Sequence, residues 1–302
     1  FEDNYPAQFV SEYTAQTRAW FYTMHVMSVG IFGKPSFENV LTTGTILAED
    51  GSKMSKFGFI PPIIEPTDYF LGSKKLGSVE INPSGNWIEY LPEFELQNRG
   101  NETNCCVSFG TLSALEMLYK FQYKDEPNYS DRFLCRASDT DPNGGNNPKK
   151  VSDTLRHNGT VPEEEYPFVL DLQEFFQTIP ENIKTQGIDW LKNYEVGYEY
   201  VQPNDLKNAL RRSPVGCAVS AWQQNDKGEY IKFGASNHWV VLVAFDEKDR
   251  PVIYDSYESK LKTLAKDFVL DFPQIYKLTV KKNLTPVEEI KEYHEENHYI
   301  VL

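Results

Sequence analysis

A cysteine thiol can act as a nucleophile when a thiolate is available near neutral pH, a base stands against it and donors await a developing oxyanion. The cysteines stand at Cys105, Cys106, Cys135 and Cys217, and the histidines at 25, 157, 238, 294 and 298. Cys106 opens a stretch with apolar residues at Phe109, Leu112, Leu115 and Leu118, which is helical spacing. A helix start favours a thiolate, but taken alone Cys106 reads more readily as a buried helix cysteine. Cys105, one residue earlier, is its rival. His238 opens the apolar run from Trp239 to Phe245 and is by itself either a core histidine or a base. His157 sits at a helix end, His294 and His298 lie in a polar, Glu-rich tail, and His25 belongs to a separate N-terminal piece. Gln97 is an upstream side-chain amide. With the Cys106 backbone N–H it could stabilise a tetrahedral oxyanion, and it is as readily a solvated loop glutamine. Asn98 and Asn104 are weaker alternatives. Cys135, beside Phe133 and Leu134, and Cys217, alternating into a strand, read as structural.

A resemblance favours Cys106 and His238 among these alternatives and leaves Gln97 open. Cys106-Val107-Ser108-Phe109 resembles the Cys-Trp-Ala-Phe of papain-type cysteine peptidases, with valine for tryptophan, and the Ser-Phe pair keeps that spacing only from Cys106. In the papain family a histidine starts one strand and Asn-Ser-Trp follows on the next. Here Asp255-Ser256-Tyr257 holds that place, seventeen residues after His238 (255 − 238). Residues 155–168 resemble the family's segment joining its two lobes, and 206–219 its entry to the second. The resemblance covers about residues 60–280. It implies a cysteine endopeptidase acting on peptides or proteins, with no cofactor or metal. Cys106 would be the nucleophile, His238 the base, Asp255 the acceptor of the Nδ1 proton, and Gln97 the oxyanion donor. A carboxylate at 255 would also favour the thiolate–imidazolium pair. Gln97 lies nine residues before Cys106 (106 − 97), longer than in close papain relatives, and the inserted Asn101-Glu102-Thr103 accounts for the difference.

The elements that must position these groups follow from pattern. A helix is expected from Cys106 to about Lys124, short helices at 151–158 and 203–212, and a loop at 139–150, rich in Asp, Asn, Gly and Pro. Strands are expected at 215–222, 238–245, 252–255 and 275–280. Helices first and strands after imply an α+β fold, a papain-like pairing of a helical lobe with an antiparallel β lobe.

The first piece is unrelated. Residues 16–25 form a mixed apolar and aromatic stretch that suits a buried helix, with a strand expected at 40–47 and a turn at 49–51. Ala48-Glu49-Asp50-Gly51-Ser52-Lys53-Met54-Ser55-Lys56 resembles the KMSKS loop of class I aminoacyl-tRNA synthetases of the isoleucyl type. In that family the loop lysines steady ATP phosphates. Lys53 and Lys56 are read here as vestigial, because no HIGH segment or first half of a nucleotide-binding fold accompanies them. Three domains are expected: residues 1–56, the synthetase-like fragment; 57–282, the peptidase; and 283–302, a Glu-rich tail. Met54 could open a separate reading frame, so the first piece is expected to be a fusion or assembly product.

Composition narrows the classes further. The chain has 302 residues, 40% apolar and 25% charged, enough for a sizeable core. A net charge of −14 argues against sequence-independent binding to nucleic acid. No apolar run approaches the roughly 20 residues of a membrane span, and no signal peptide is visible. Four cysteines are too few for a disulfide-built scaffold, and an adjacent pair does not fit zinc-ligand spacing.

Overall fold

The computed structural model describes residues 5–8, 10–13, 20–43, 58–65, 68–71 and 80–281. The chain divides into two compact units, Phe1–Met54 and Ser55–Leu302. The KMSK loop with Lys53 and Lys56, the turn at 49–51 and the tail at 283–302 lie outside the described residues.

In the first unit, β1 (Val10–Tyr13) pairs in parallel with β2 (Val40–Thr43), Val10 against Val40. Parallel partners need a crossover, and helix α1 (Trp20–Phe32) lies between them in sequence, giving a β-α-β unit. The helix runs further than the stretch expected at 16–25. Tyr22, Val26, Met27 and Ile31 on it are exposed.

In the second unit the helices come first. They are α2 (Cys106–Tyr123), α3 (Asp131–Ala137), α4 (Pro148–Asn158), α5 (Leu172–Phe175) and α6 (Glu181–Trp190). Then follow β3 (Tyr194–Tyr200), the short α7 (Leu206–Leu210), β4 (Val215–Val219), β5 (His238–Phe245), β6 (Pro251–Tyr254), β7 (Lys262–Thr263) and β8 (Asp271–Val280). One antiparallel sheet results, in the order β3-β8-β4-β5-β6-β7. The α+β expectation holds.

Helix α2 is buried along most of its length. Its apolar side chains enter two core clusters. Leu112 and Leu115 join Leu134, Leu155 and Trp239, while Met117 and Leu118 join Val240, Leu242 and Ile253 of the sheet. Gly110 and Gly216 show how closely helix and sheet approach Trp239. A Cβ on Gly110 would lie 2.8 Å from Trp239 Cδ1, and one on Gly216 2.7 Å from Trp239 Cζ2. The wholly buried indole thus occupies a slot that two missing side chains leave open, and this fixes the strand start at His238.

Two boundaries differ from expectation for identifiable reasons. Helix α4 begins at Pro148, three residues earlier than expected, because Asn147 caps it by accepting from Lys150 N–H while the proline takes the first turn, where no amide is needed. Helix α7 is shorter than the expected 203–212, starting only after Asp205.

Buried carboxyls gather beside α2. Glu116 on the helix accepts from the Tyr129 backbone N–H at 2.8 Å. Burial pushes the Glu116 and Asp131 carboxyls well above their usual range, and burial raises Glu163 to about 7.

Two outcomes follow. Gly110→Ala gains roughly 1 kcal/mol of helix propensity but overpacks an immovable indole, at roughly 1–3 kcal/mol, so a lower Tm is expected in calorimetry. The raised carboxyl pKa values mean the folded state holds protons that the unfolded chain releases. The contribution of these three carboxyls to stability is therefore fullest in acid and is lost as pH rises through about 7, with Glu163→Gln flattening that part of the slope in Tm-against-pH measurements.

Candidate active site

Cys106 is the first residue of α2, and Cys105 is its N-cap. Cys105 forms a disulfide with Cys135 of α3, so the rival nucleophile carries no free thiol. The bridge also ties the start of α2 to α3, a pairing that sequence analysis did not anticipate. The free cysteines among the described residues are Cys106 and Cys217, both buried.

Cys106 and Trp239, the residue after His238, lie in one buried core cluster, and the Trp239 backbone N–H favours the thiolate form of the sulfur. This packing brings the head of α2 to the start of β5. The thiol itself departs from expectation. Burial drives it well above its usual value; the Trp239 N–H pulls it down, and Glu102 and Asp255 push it up with burial. Desolvation therefore outweighs the helix start.

His238 begins β5, opposite Val219 of β4, and Asp255 follows the last residue of β6, the strand on its other side. The antiparallel pairing of β5 and β6 closes the seventeen-residue separation. His238 Nε2 lies 2.6 Å from Asp255 Oδ1, with both side chains fully buried. The expected contact through Nδ1 is thus corrected to Nε2. Asp255 arrives from the neighbouring strand and meets the ring at its far edge, whereas Nδ1 sits nearer the histidine's own backbone. The Tyr257 backbone N–H also donates to Oδ1, at 3.2 Å. Two rings stand edge-on to the imidazole, Tyr257 at 5.0 Å and Trp222 at 6.0 Å between centroids.

The second carboxylate oxygen is taken as well. Lys262 of β7 places Nζ 2.5 Å from Asp255 Oδ2, and its side chain is also fully buried. Burial alone would raise the Asp255 pKa, but His238 and Lys262 outweigh it and hold the carboxyl below its usual range. Sequence reasoning missed Lys262, because in Tyr257-Glu258-Ser259-Lys260-Leu261-Lys262 it looks like one of several solvated turn charges.

Gln97 is brought to the same corner and is buried. Its backbone N–H donates to Ser256 O at 3.0 Å, and its side-chain carbonyl accepts from Ser256 Oγ at 2.7 Å. Its Nε2 donates to Glu102 at 2.8 Å. Glu102 also accepts from Asn104 N–H, which fixes the loop just before the cysteines. Asn104 turns its own side chain to Pro142 O. His157 is exposed at the end of α4, bonded to Asp153 O. Among the described residues, no group of three or more His, Cys, Asp or Glu could hold a metal ion. No helix among them is long and apolar enough to cross a membrane.

The model of the papain family of cysteine proteases matches residues 93–259, more than half of the chain. The chain belongs to the papain family of cysteine proteases, enzymes of the hydrolase class. Its fold is similar to the cysteine protease and lectin-like domains of the surface-layer-associated Cwp84 of Clostridium difficile (TM-score 0.58, 18% identity, 78% of this chain and 58% of that one). It is similar too to xylellain, a cysteine protease of Xylella fastidiosa (TM-score 0.54, 15% identity, 77% and 99%).

Residues 1–64 match the model of class I tRNA synthetases for Ile, Leu, Met and Val. That segment is 55% identical over 56 residues to the cytoplasmic isoleucine–tRNA ligase of Caenorhabditis elegans, 18% of this chain and 5% of that protein. The Encephalitozoon cuniculi counterpart is 56% identical over 55 residues, again 18% and 5%. The chain thus spans about a twentieth of the synthetases it matches.

Removing the disulfide as Cys105→Ala/Cys135→Ala opens a loop of 30 residues, and a stability loss of about 2–4 kcal/mol is expected in denaturant titration. Alkylation at Cys106 should persist in that variant, read by peptide mass mapping.

Proposed function

We propose that residues 57–282 form an active endopeptidase that cleaves peptide bonds through an acyl-thioester on Cys106. The supporting observation is the buried His238–Asp255 hydrogen bond, with Cys106 in the same buried cluster as the very next residue, Trp239. Asp255 holds His238 by Nε2, so Nδ1 is the nitrogen assigned to proton exchange with the sulfur. With burial raising the thiol pKa, the proton passes from Sγ to Nδ1 as the sulfur attacks the scissile carbonyl. The imidazolium then protonates the leaving amine. In the second half His238 takes a proton from water as it attacks the thioester; the C–S bond then breaks, the acid leaves and the imidazolium returns its proton to Sγ.

An amide nitrogen carries two protons, and Glu102 takes one from Gln97. The other, with the Cys106 backbone N–H, is assigned to the oxyanion. Residues 1–56 are assigned no ATP chemistry, Lys53 and Lys56 included, and 283–302 remain a separate polar tail.

A thiol-alkylating peptidyl probe tests the proposal. It should label Cys106, and Cys106→Ala should remove the label and slow cleavage of an unfolded protein substrate into internal fragments by on the order of a thousandfold or more. Labelling that persists in Cys106→Ala would overturn the assignment. Labelling without any cleavage would instead describe a domain that binds peptides and does not cut them.

A further inference from the structure

We propose that Lys262 is a positioning residue that cancels the charge of Asp255, so that His238 is held by an acceptor with no net charge. The inference rests on the peptidase reading above, in that His238 serves Cys106. It stands on three observations about the corner where β5, β6 and β7 meet.

First, the two oxygens of Asp255 are divided. Oδ1 faces His238 Nε2 at 2.6 Å and Oδ2 faces Lys262 Nζ at 2.5 Å. Second, histidine, aspartate and lysine are all fully buried. A single carboxylate in that setting would be costly, and its field would reach its neighbours with little screening. Third, the lysine is built into the site. Its Nζ lies 5.2 Å over the Trp222 ring, and that ring stands edge-on to His238. Glu258, partly exposed and 3.7 Å away, is the lysine's weaker second partner.

The other ionisable groups facing this pair are Cys106 at the head of α2, Glu102 in the loop before it, and Tyr257 and Glu258 in the turn after Asp255. Glu102 and Asp255 both disfavour a thiolate at Cys106. An uncompensated Asp255 would hold the imidazole well but oppose the sulfur anion that the imidazole must help to form. Lys262 offsets much of that opposition and leaves the hydrogen bond. Aspartate and lysine together then present to His238 what a neutral amide would present alone, which is the residue type at this place in the papain pattern. A lysine present only to fill the core would have no such bearing on the sulfur.

The test is the pH dependence of Cys106 alkylation by iodoacetamide on the full chain, read by mass mapping of that one residue, in wild type, Lys262→Met, Asp255→Asn and the double variant. Loss of a nearby positive charge disfavours the thiolate. Lys262→Met should therefore move the acid limb of the profile up by about one pH unit. Asp255→Asn, which leaves the lysine uncompensated, should move it down. The double variant, with both charges gone, should return it to within about 0.3 of a unit of wild type. Superimposable wild-type and Lys262→Met profiles would overturn the proposal. So would a double variant shifted as far as Lys262→Met. If Lys262→Met does not fold, Asp255→Asn and the double variant carry the comparison, and equal profiles for those two overturn it. Alkylation needs no turnover. A wild-type chain that labels at Cys106 but cuts no peptide therefore refutes the peptidase reading while the lysine comparison stays readable.

Discussion

The buried hydrogen bond between His238 and Asp255 is the constraint around which the peptidase unit is arranged. In water such a bond contributes little, because both groups are already solvated. Inside the protein, with rings of Tyr257 and Trp222 against it, the same bond sets both the orientation and the tautomer of the imidazole. Much of the surrounding fold serves to keep those two residues in register. The β5–β6 pairing brings them together across seventeen residues, and the Trp239 slot between Gly110 and Gly216 fixes the start of β5. Ser256, next to Asp255, anchors Gln97 through both backbone and side chain.

The same burial creates the central chemical tension of the site. Excluding water strengthens the histidine–aspartate pair but makes a thiolate at Cys106 harder to form, and Glu102 and Asp255 add to that difficulty. A helix N-terminus offers a fraction of a charge; complete desolvation of the sulfur is the larger effect here. In the proposed mechanism the work of activating the thiol therefore falls on the imidazole and on the moment of attack. Activation by position differs from activation by a permanently lowered pKa, and it places a premium on geometry over the resting charge state.

Much of this was legible in the residues. The start of α2 at Cys106 and the whole of β5 from His238 to Phe245 coincide with the expected elements, because unbroken periodic apolar residues mark both. The pairing of His238 with Asp255 was expected, although not through Nε2. Other features were hidden for physical reasons. Strand β3, Tyr194 to Tyr200, was not foreseen: its glutamates and glycine dilute the apolar signal, and its place in the sheet comes from pairing with β8. The Cys105–Cys135 bridge needs the approach of α2 to α3, which no local pattern reveals. Lys262 is a lysine among turn charges until the fold buries it against Asp255. In the first unit, the synthetase likeness rested on a contiguous phrase and needed no fold at all. A phrase match can name a lineage, but chemistry requires the distant residues to arrive.

The most direct measurement is a crystal structure of the chain after reaction with a peptidyl electrophile. The account predicts a covalent bond from Cys106 Sγ, His238 Nδ1 within about 3.5 Å of the modified sulfur or the adduct's oxygen, and Nε2 still on Asp255. An adduct on any other residue, or a modified sulfur with packed protein between it and the imidazole, would contradict it.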